Sequence, residues 1–278
     1  MSPSSSSPSA VLPALAVVTG AASGIGAALA EALLVRGIEV LAIDLHIDAL
    51  SPAAHPLERR FAIDVRDAAA MAHLAATFAA RPVSHVFANA GIGGPPADVL
   101  GSTDDAWQWA WDVNVLGALR TLRLWWPHLV AGRGKAVATV SSAALQSFPG
   151  AGPYRATKAA LLSALEGLHY EARGSGVSVH ALCPGMVRSS IGDLQRYEEF
   201  AALRPTPGGK PNPFAEYVVQ AMKTAEPAHD FAVRVLDGLA ADAPFYWLTH
   251  PPTRPWIEGR HRAIMDGGLP FSDFGAPP

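Results

Sequence analysis

With 278 residues the chain is long enough to bury a sizeable core without disulfide or metal staples, in one large domain or two small ones. Half of its residues are apolar, 16% are charged, and 21 basic against 24 acidic side chains leave a net charge of −3, which excludes a disordered chain and leaves no basic footprint for nucleic acid. The single cysteine, Cys183, excludes an internal disulfide or a Cys-rich metal cage and points to a reducing, cytoplasmic location.

Met1 to Pro13 is Ser- and Pro-rich with almost nothing to bury, so it is expected to be a disordered arm, with the folded domain at 14–278. No Lys or Arg occurs before Arg36, so the positive start of a secretion signal is missing. Thr19, Glu31 and Arg36 interrupt the most apolar run, and no membrane span is expected. From Ala14 onward short β-rich runs (Leu15–Thr19, Glu39–Asp44, Val83–Asn89, Lys135–Ser141, Val177–Cys183) alternate with Ala/Leu-rich stretches (Gly24–Arg36, Ala68–Ala80, Thr103–Val130, Pro153–Arg173). That alternation is the pattern of repeated βαβ units. The strands are apolar on both faces, as a parallel sheet covered by helices on both sides requires, so a doubly wound α/β sheet is expected.

Beyond Met186 the composition changes. Arg204 to Pro213 packs four prolines and two glycines into ten residues, which regular structure does not tolerate. It is expected to be a loop within a lid region, 189–226, over the substrate. Phe214–Thr224 and Ala228–Leu239 read as helices and Pro244–Thr249 as a last strand of the same domain. The tail from Arg254 is expected to wrap the domain surface or a partner subunit.

The first chemistry-bearing segment is Thr19-Gly20-Ala21-Ala22-Ser23-Gly24-Ile25-Gly26, between an apolar strand and an Ala/Leu-rich helix. Glycines there permit a tight turn and close approach of backbone to a pyrophosphate, while the helix start offers free N–H groups and the positive end of its dipole. The spacing Gly-x-x-x-Gly-x-Gly departs from the general G-x-G-x-x-G fingerprint, and a glycine cluster alone also suits a plain strand-to-helix turn. Asp44 ends the next predicted strand, eighteen residues after Gly26, where a carboxylate would accept hydrogen bonds from ribose hydroxyls and repel a 2′-phosphate. No Lys or Arg follows it until Arg59, so NAD is favoured over NADP. An Asp that merely caps a turn would leave the same residue there.

Further along come Ala88-Asn89-Ala90-Gly91, Asn114, Ser141-Ser142, Tyr154-x-x-x-Lys158 and Pro184-Gly185. Tyr154 and Lys158 lie four apart on a predicted helix and share a face. An ammonium beside a phenol favours the phenolate, bringing it into the range where it exchanges a proton with an alcohol or carbonyl. A serine hydroxyl near the pair could stabilise charge developing on a substrate oxygen.

In this order and spacing the segment from about Leu15 to Ser189 resembles the short-chain dehydrogenase/reductase family, in its single-domain form of about 250 residues. The resemblance implies a Rossmann-type parallel sheet of about seven strands with helices on both faces. It implies a catalytic set of Asn114, Ser142, Tyr154 and Lys158. It further implies a cofactor site of Gly20, Ser23, Gly24, Ile25, Gly26, Asp44, Asp64, Val65, Asn89, Ala90, Gly91, Tyr154, Lys158, Pro184, Gly185, Val187 and Ser189. Asp64 would meet the adenine amino group, Asn89 to Gly91 the adenosine side, and Val187 the carboxamide through its backbone. Asn114 would sit in an irregular helix and hold a water linking Lys158 to solvent.

Three positions depart from the family pattern. Ala88 replaces an Asn and Ser189 a Thr, and Ser141-Ser142-Ala143-Ala144-Leu145 lacks the usual glycine. Aligning that run favours Ser142, the residue assigned the hydroxyl role, while counting back from Tyr154 favours Ser141.

The implied activity is hydride transfer between NAD and a secondary alcohol or ketone. Phe148, Met186, Ile191, Tyr197 and Phe200 suggest a hydrophobic or aromatic substrate, in a pocket roofed by 93–99, 144–150 and 189–213. NADPH-linked ketone reduction, or a catalytically silent NAD-sensing regulator, would use the same fold. The resemblance also implies a homodimer or homotetramer assembled through the Thr103–Val130 and Pro153–Arg173 helices. Ten scattered histidines show no paired metal-ligand spacing, so no metal is expected and His250 and His261 read as structural. Trp107, Trp109, Trp111, Trp125 and Trp126 read as core and interface packing, and Cys183 as a small buried hydrophobe.

Overall fold

The structure, a computed structural model, describes residues 12–47, 55–79, 81–93, 99–146, 148–192 and 220–268. Seven strands form one sheet: β1 Leu15–Thr19, β2 Glu39–Asp44, β3 Glu58–Ala62, β4 Val83–Ala88, β5 Lys135–Thr139, β6 Ser178–Cys183 and β7 Tyr246–Leu248. Their order is β3-β2-β1-β4-β5-β6-β7, with every neighbouring pair parallel. The chain builds outward from β1 to β3, then returns to place β4 on the other side of β1. At such a reversal the loops leave β1 and β4 in opposite directions and open a crevice at the carboxyl ends of the strands.

Alternation along β1 explains the layers. Leu15 and Val17 face a core shared with α2 Ala68–Thr77, α4 Ala118–Gly132 and α5 Gly152–Glu171, including Met71, Leu122, Trp125 and Leu161. Ala16 and Val18 face the opposite core, where Leu29 and Leu33 of α1 Gly24–Val35 meet Phe231 and Val235 of α6 Ala228–Ala240. Both faces of the sheet are thus covered, which is why its strands carry no polar-out alternation.

Three elements differ from the expectation. The stretch 103–130 is not one helix: α3 Asp104–Trp111, capped by the Thr103 side chain on the Ala106 N–H, passes through a π-helical segment Asp112–Gly117 into α4. β3 carries Glu58, Arg59 and Arg60 because it is the sheet edge, where charged side chains reach water. The tail turns into a helix, α7 Arg254–Met265, none of whose residues is buried. At the other end, Pro13 is tied to the fold by its carbonyl, which accepts from Arg81. The rest of the expected arm up to residue 11, the Arg204–Pro213 loop and most of the lid region lie outside the described residues. No described helix is long and apolar enough to cross a membrane.

Candidate active site

Beyond the carboxyl end of β1 the backbone turns through Gly20, at φ +68°, and Gly24, at φ +53°, a left-handed conformation that suits glycine. Gly26 is required by proximity. A Cβ there would lie 2.0 Å from the Gly20 carbonyl oxygen and 2.6 Å from Asn89 Nδ2. Ser23 precedes α1 but makes no side-chain capping bond, and its hydroxyl instead accepts from Ser190 Oγ at 3.2 Å. The first-turn N–H groups of α1, with Ile25 among them, therefore receive no cap from Ser23, which suits an anion laid across the helix start. A glycine cradle with no room for side chains and an uncapped helix start together fit a dinucleotide pyrophosphate.

Asp44 ends β2 with its carboxylate fixed beside this loop, accepting from the Ala22 N–H at 3.1 Å and the His46 N–H at 2.9 Å. Burial pushes the Asp64 carboxyl up. Hydrogen bonds from the Arg66 side chain and backbone outweigh that and hold it below its ordinary value. The Val65 carbonyl accepts from Arg120 at 2.5 Å. Asn89 acts as a strut. Its Oδ1 accepts from Thr139 Oγ1 at 2.9 Å and its Nδ2 donates to the Thr19 carbonyl at 3.1 Å, while Asn89 N–H and Ala90 N–H both donate to Thr19 Oγ1. Sequence reasoning missed Thr19 and Thr139, since a strand-end threonine carries no motif.

The second half of the cleft is ionisable. Tyr154 and Lys158 occupy one face of α5, with Lys158 Nζ 5.9 Å from the centre of the Tyr154 ring. That ammonium is 2% exposed and donates to the Thr139 carbonyl at 2.7 Å; burial pulls its pKa down from 10.5 to about 8. Gly91 passes so close that a Cβ on it would lie 3.2 Å from both Lys158 Nζ and Asn114 Oδ1. Asn114 is fully buried in the π-helical segment, its Oδ1 accepting from the Ile92 N–H and its Nδ2 donating to the Ile92 carbonyl and Thr157 Oγ1. The irregular turn that the resemblance implied is therefore present, and Asn114 faces inward.

The two serines differ. Ser141, at φ +152° and ψ 150°, holds a strained backbone, and its hydroxyl accepts from the Ala143 N–H at 3.1 Å. Ser142 is anchored by its N–H on the Pro184 carbonyl at 2.8 Å, and its hydroxyl engages no partner among the described residues. Ala143, Phe148 and Ala151 pack with Tyr154 to make the adjoining wall apolar. Burial pushes the Cys183 thiol up to about 12, so it is no nucleophile.

The segment after β6 closes the cleft. Val187 forms an isolated parallel bridge with Glu226, in which the Arg188 N–H and the Met186 carbonyl make the bonds. Val187's own N–H and carbonyl therefore point away from Glu226. Ser189 meets the glycine loop, where a Cβ on Gly24 would fall 2.8 Å from Ser189 Cβ. Met186 and Ile191 are partly exposed, whereas Tyr197, Phe200 and most of the expected roof lie outside the described residues. Among the described residues no cluster of His, Cys, Asp or Glu could hold a metal ion.

Comparison with known proteins gives a consistent picture. A sequence model of a family described as short chain dehydrogenase matches residues 14–199. The chain is 35% identical over 191 residues to 2-(R)-hydroxypropyl-CoM dehydrogenase of Xanthobacter autotrophicus, covering 64% of this chain and 76% of that protein. It is 34% identical over 239 residues to galactitol 2-dehydrogenase (L-tagatose-forming) of Cereibacter sphaeroides, covering 81% of this chain and 94% of that one. A crystal structure of a short chain dehydrogenase/reductase from Burkholderia phymatum in complex with NAD superposes with a TM-score of 0.85 at 29% identity, covering 95% of this chain and 98% of that chain.

Proposed function

The chain belongs to the short-chain dehydrogenase family, and from that membership we propose that it interconverts a hydrophobic or aromatic secondary alcohol and its ketone, with NAD as cofactor and Tyr154 as general acid/base. One observation carries the reading: a buried ammonium, Lys158 Nζ, lies 5.9 Å from the Tyr154 ring centre at the carboxyl ends of β4, β5 and β6. In this assignment Gly20, Ser23, Gly24, Ile25 and Gly26 hold the pyrophosphate and Asp44 holds the ribose hydroxyls. Asp64 and Val65 take the adenine, Asn89, Ala90 and Gly91 the adenosine side, and Pro184, Gly185, Val187 and Ser189 the nicotinamide side. Bound nicotinamide supplies the hydride acceptor or donor.

The chain supplies the rest. Tyr154 oxygen takes the hydroxyl proton in oxidation and returns it in reduction. Lys158, held in place by the Thr139 carbonyl, stabilises the negative charge that forms on that oxygen, in a site where burial strengthens the interaction. Ser142, whose hydroxyl has no partner among the described residues, donates to the substrate oxygen and stabilises the charge developing there. Asn114, with Thr157, holds the inner end of the path by which a proton reaches Lys158.

Asp44 supports NAD over NADP, because a carboxylate at the end of β2 would accept from ribose hydroxyls and repel a 2′-phosphate, and no Lys or Arg follows before Arg59. Phe148, Met186 and Ile191 support an apolar substrate. The names of the two relatives, a hydroxypropyl and a galactitol dehydrogenase, support a secondary alcohol. Exposed Trp111, Leu116, Val130 and Tyr170 support a homodimer or homotetramer through the outer faces of α3, the π-helical segment, α4 and α5. The lone, buried Cys183 accords with a cytoplasmic setting.

The test is a panel of aromatic, aliphatic and polyol secondary alcohols, with their ketones, followed by NADH or NADPH absorbance. Apolar alcohols are expected to react, with kcat/KM at least about tenfold higher for NAD than for NADP. No turnover across the panel, equal use of NADP, or a preference for polyols would overturn the corresponding part of the reading.

A further inference from the structure

One partly buried imidazole near the cleft has no part in the chemistry above and lies outside the family match, which ends at residue 199. His250 follows β7, and its Nδ1 accepts from the Gly185 N–H at 2.9 Å. Because a backbone N–H can only donate, this bond requires Nδ1 to be unprotonated. The ring lies so close to Gly185 that a Cβ there would fall 2.8 Å from His250 Cγ. Its other nitrogen, Nε2, is buried 3.2 Å from Glu226 Oε2 without hydrogen-bonding alignment.

Glu226 is in turn gripped by Arg234, which donates to both of its carboxylate oxygens and, at 3.0 Å, to the carbonyl of Thr249, the residue next to His250. The Thr249 hydroxyl also lies 2.9 Å from His250 Nδ1, and Phe231 stacks on the ring at 6.1 Å. The backbone of the same Glu226 bridges Met186 and Arg188. His250 and Glu226 therefore hold the segment after β6 at two successive points, Gly185 and Met186–Arg188, and Val187 lies between them.

We propose that His250 is a positioning residue for the nicotinamide half of the site, fixing the Gly185–Arg188 backbone so that the N–H and carbonyl of Val187, which point away from Glu226, are held ready for a planar carboxamide. The proposal rests on the cofactor reading above. Burial lowers the His250 pKa, against the opposing pull of Glu226, and so favours the neutral ring that the Gly185 bond requires.

The experiment compares the full-length protein with His250→Phe, which keeps a ring but has no acceptor, and His250→Asn, which returns an oxygen near the place of Nδ1. Two ligands are titrated by calorimetry: NADH, and ADP-ribose, which lacks the nicotinamide. His250→Phe is expected to bind NADH roughly tenfold more weakly and ADP-ribose within about twofold of the parent, while His250→Asn recovers most of the NADH affinity. Unchanged NADH affinity in His250→Phe, equal weakening of both ligands, or failure of His250→Asn to recover would each overturn the proposal. If His250→Phe does not fold, His250→Gln, whose amide reaches past the Nδ1 position, takes its place in the same comparison with His250→Asn. Failure of the cofactor reading shows differently, as absence of NADH binding by the unmodified protein.

Discussion

The two sides of the cleft are held by different physics. The loop after β1 is fixed by steric exclusion and backbone geometry: Gly20 and Gly24 take left-handed φ, Gly26 touches the Gly20 carbonyl, and uncharged Thr19 and Asn89 tie the strand ends together. The far side, from Ser141 through α5 and on to the segment after β6, depends on charged and ionisable groups: Lys158, His250 and the Glu226–Arg234 ion pair. The sides touch at Gly24 and Ser189. A cradle made of backbone holds an anion at any ordinary pH, whereas proton transfer needs groups whose charge can change, and those need partners to stay in place.

Breaking the first side should have the larger effect on binding. Gly26→Ala puts a methyl group into the Gly20 carbonyl, so the loop must open. NADH and ADP-ribose affinities are both expected to fall by roughly a hundredfold or more, because the shared pyrophosphate loses its cradle. Retained ADP-ribose binding in that variant would show that the glycine contact is not what holds the ligand. The His250 variants are the complement, with a smaller loss confined to NADH.

The titratable side should be visible in stability without any ligand. The Lys158 pKa falls from 10.5 to about 8 in the fold. Between those values the unfolded chain binds more protons than the folded one, so stability rises with pH across the window. Above it neither state carries the charge. Below about 8 both do, and the full cost of burying it, about 3 kcal/mol, is present. In urea melts of the protein and Lys158→Met, the stability difference between them should shift in favour of the parent by up to that amount on going from about pH 7 to about pH 10.5. Parallel pH profiles for the two proteins would contradict the burial of a charged amine.

The same contrast governs what could be read from the sequence. β1 and β2 match their expected bounds because apolar β-rich runs bracketed by glycine turns and helices are a strong local signal. β3 is faint, since Glu-Arg-Arg-Phe-Ala at a sheet edge shows no apolar pattern. The break between α3 and α4 was legible only through the resemblance around Asn114, because the apolar content of 103–130 runs through it unbroken. The glycine loop and the Tyr154–Lys158 pair announce themselves by short spacings within one element. Spacing leaves Ser141 and Ser142 both open, and the bond that Ser141 Oγ accepts from the Ala143 N–H is a backbone contact that no spacing reveals. His250 was read only as structural, because its partner Gly185 is 65 positions away and a lone histidine carries no motif. The C-terminal helix was missed for a related reason: Arg254–Met265 has no buried face to impose an apolar period.

The central claim is that Lys158 makes the Tyr154 hydroxyl the proton carrier of the reaction, and Tyr154→Phe removes that oxygen while leaving the ring in its apolar wall. Turnover of a reactive alcohol, measured by NADH absorbance beside a direct NADH titration of the same sample, is expected to fall by about a thousandfold or more with NADH affinity within about twofold of the parent. Turnover within about tenfold of the parent, with NADH still bound, would contradict the claim.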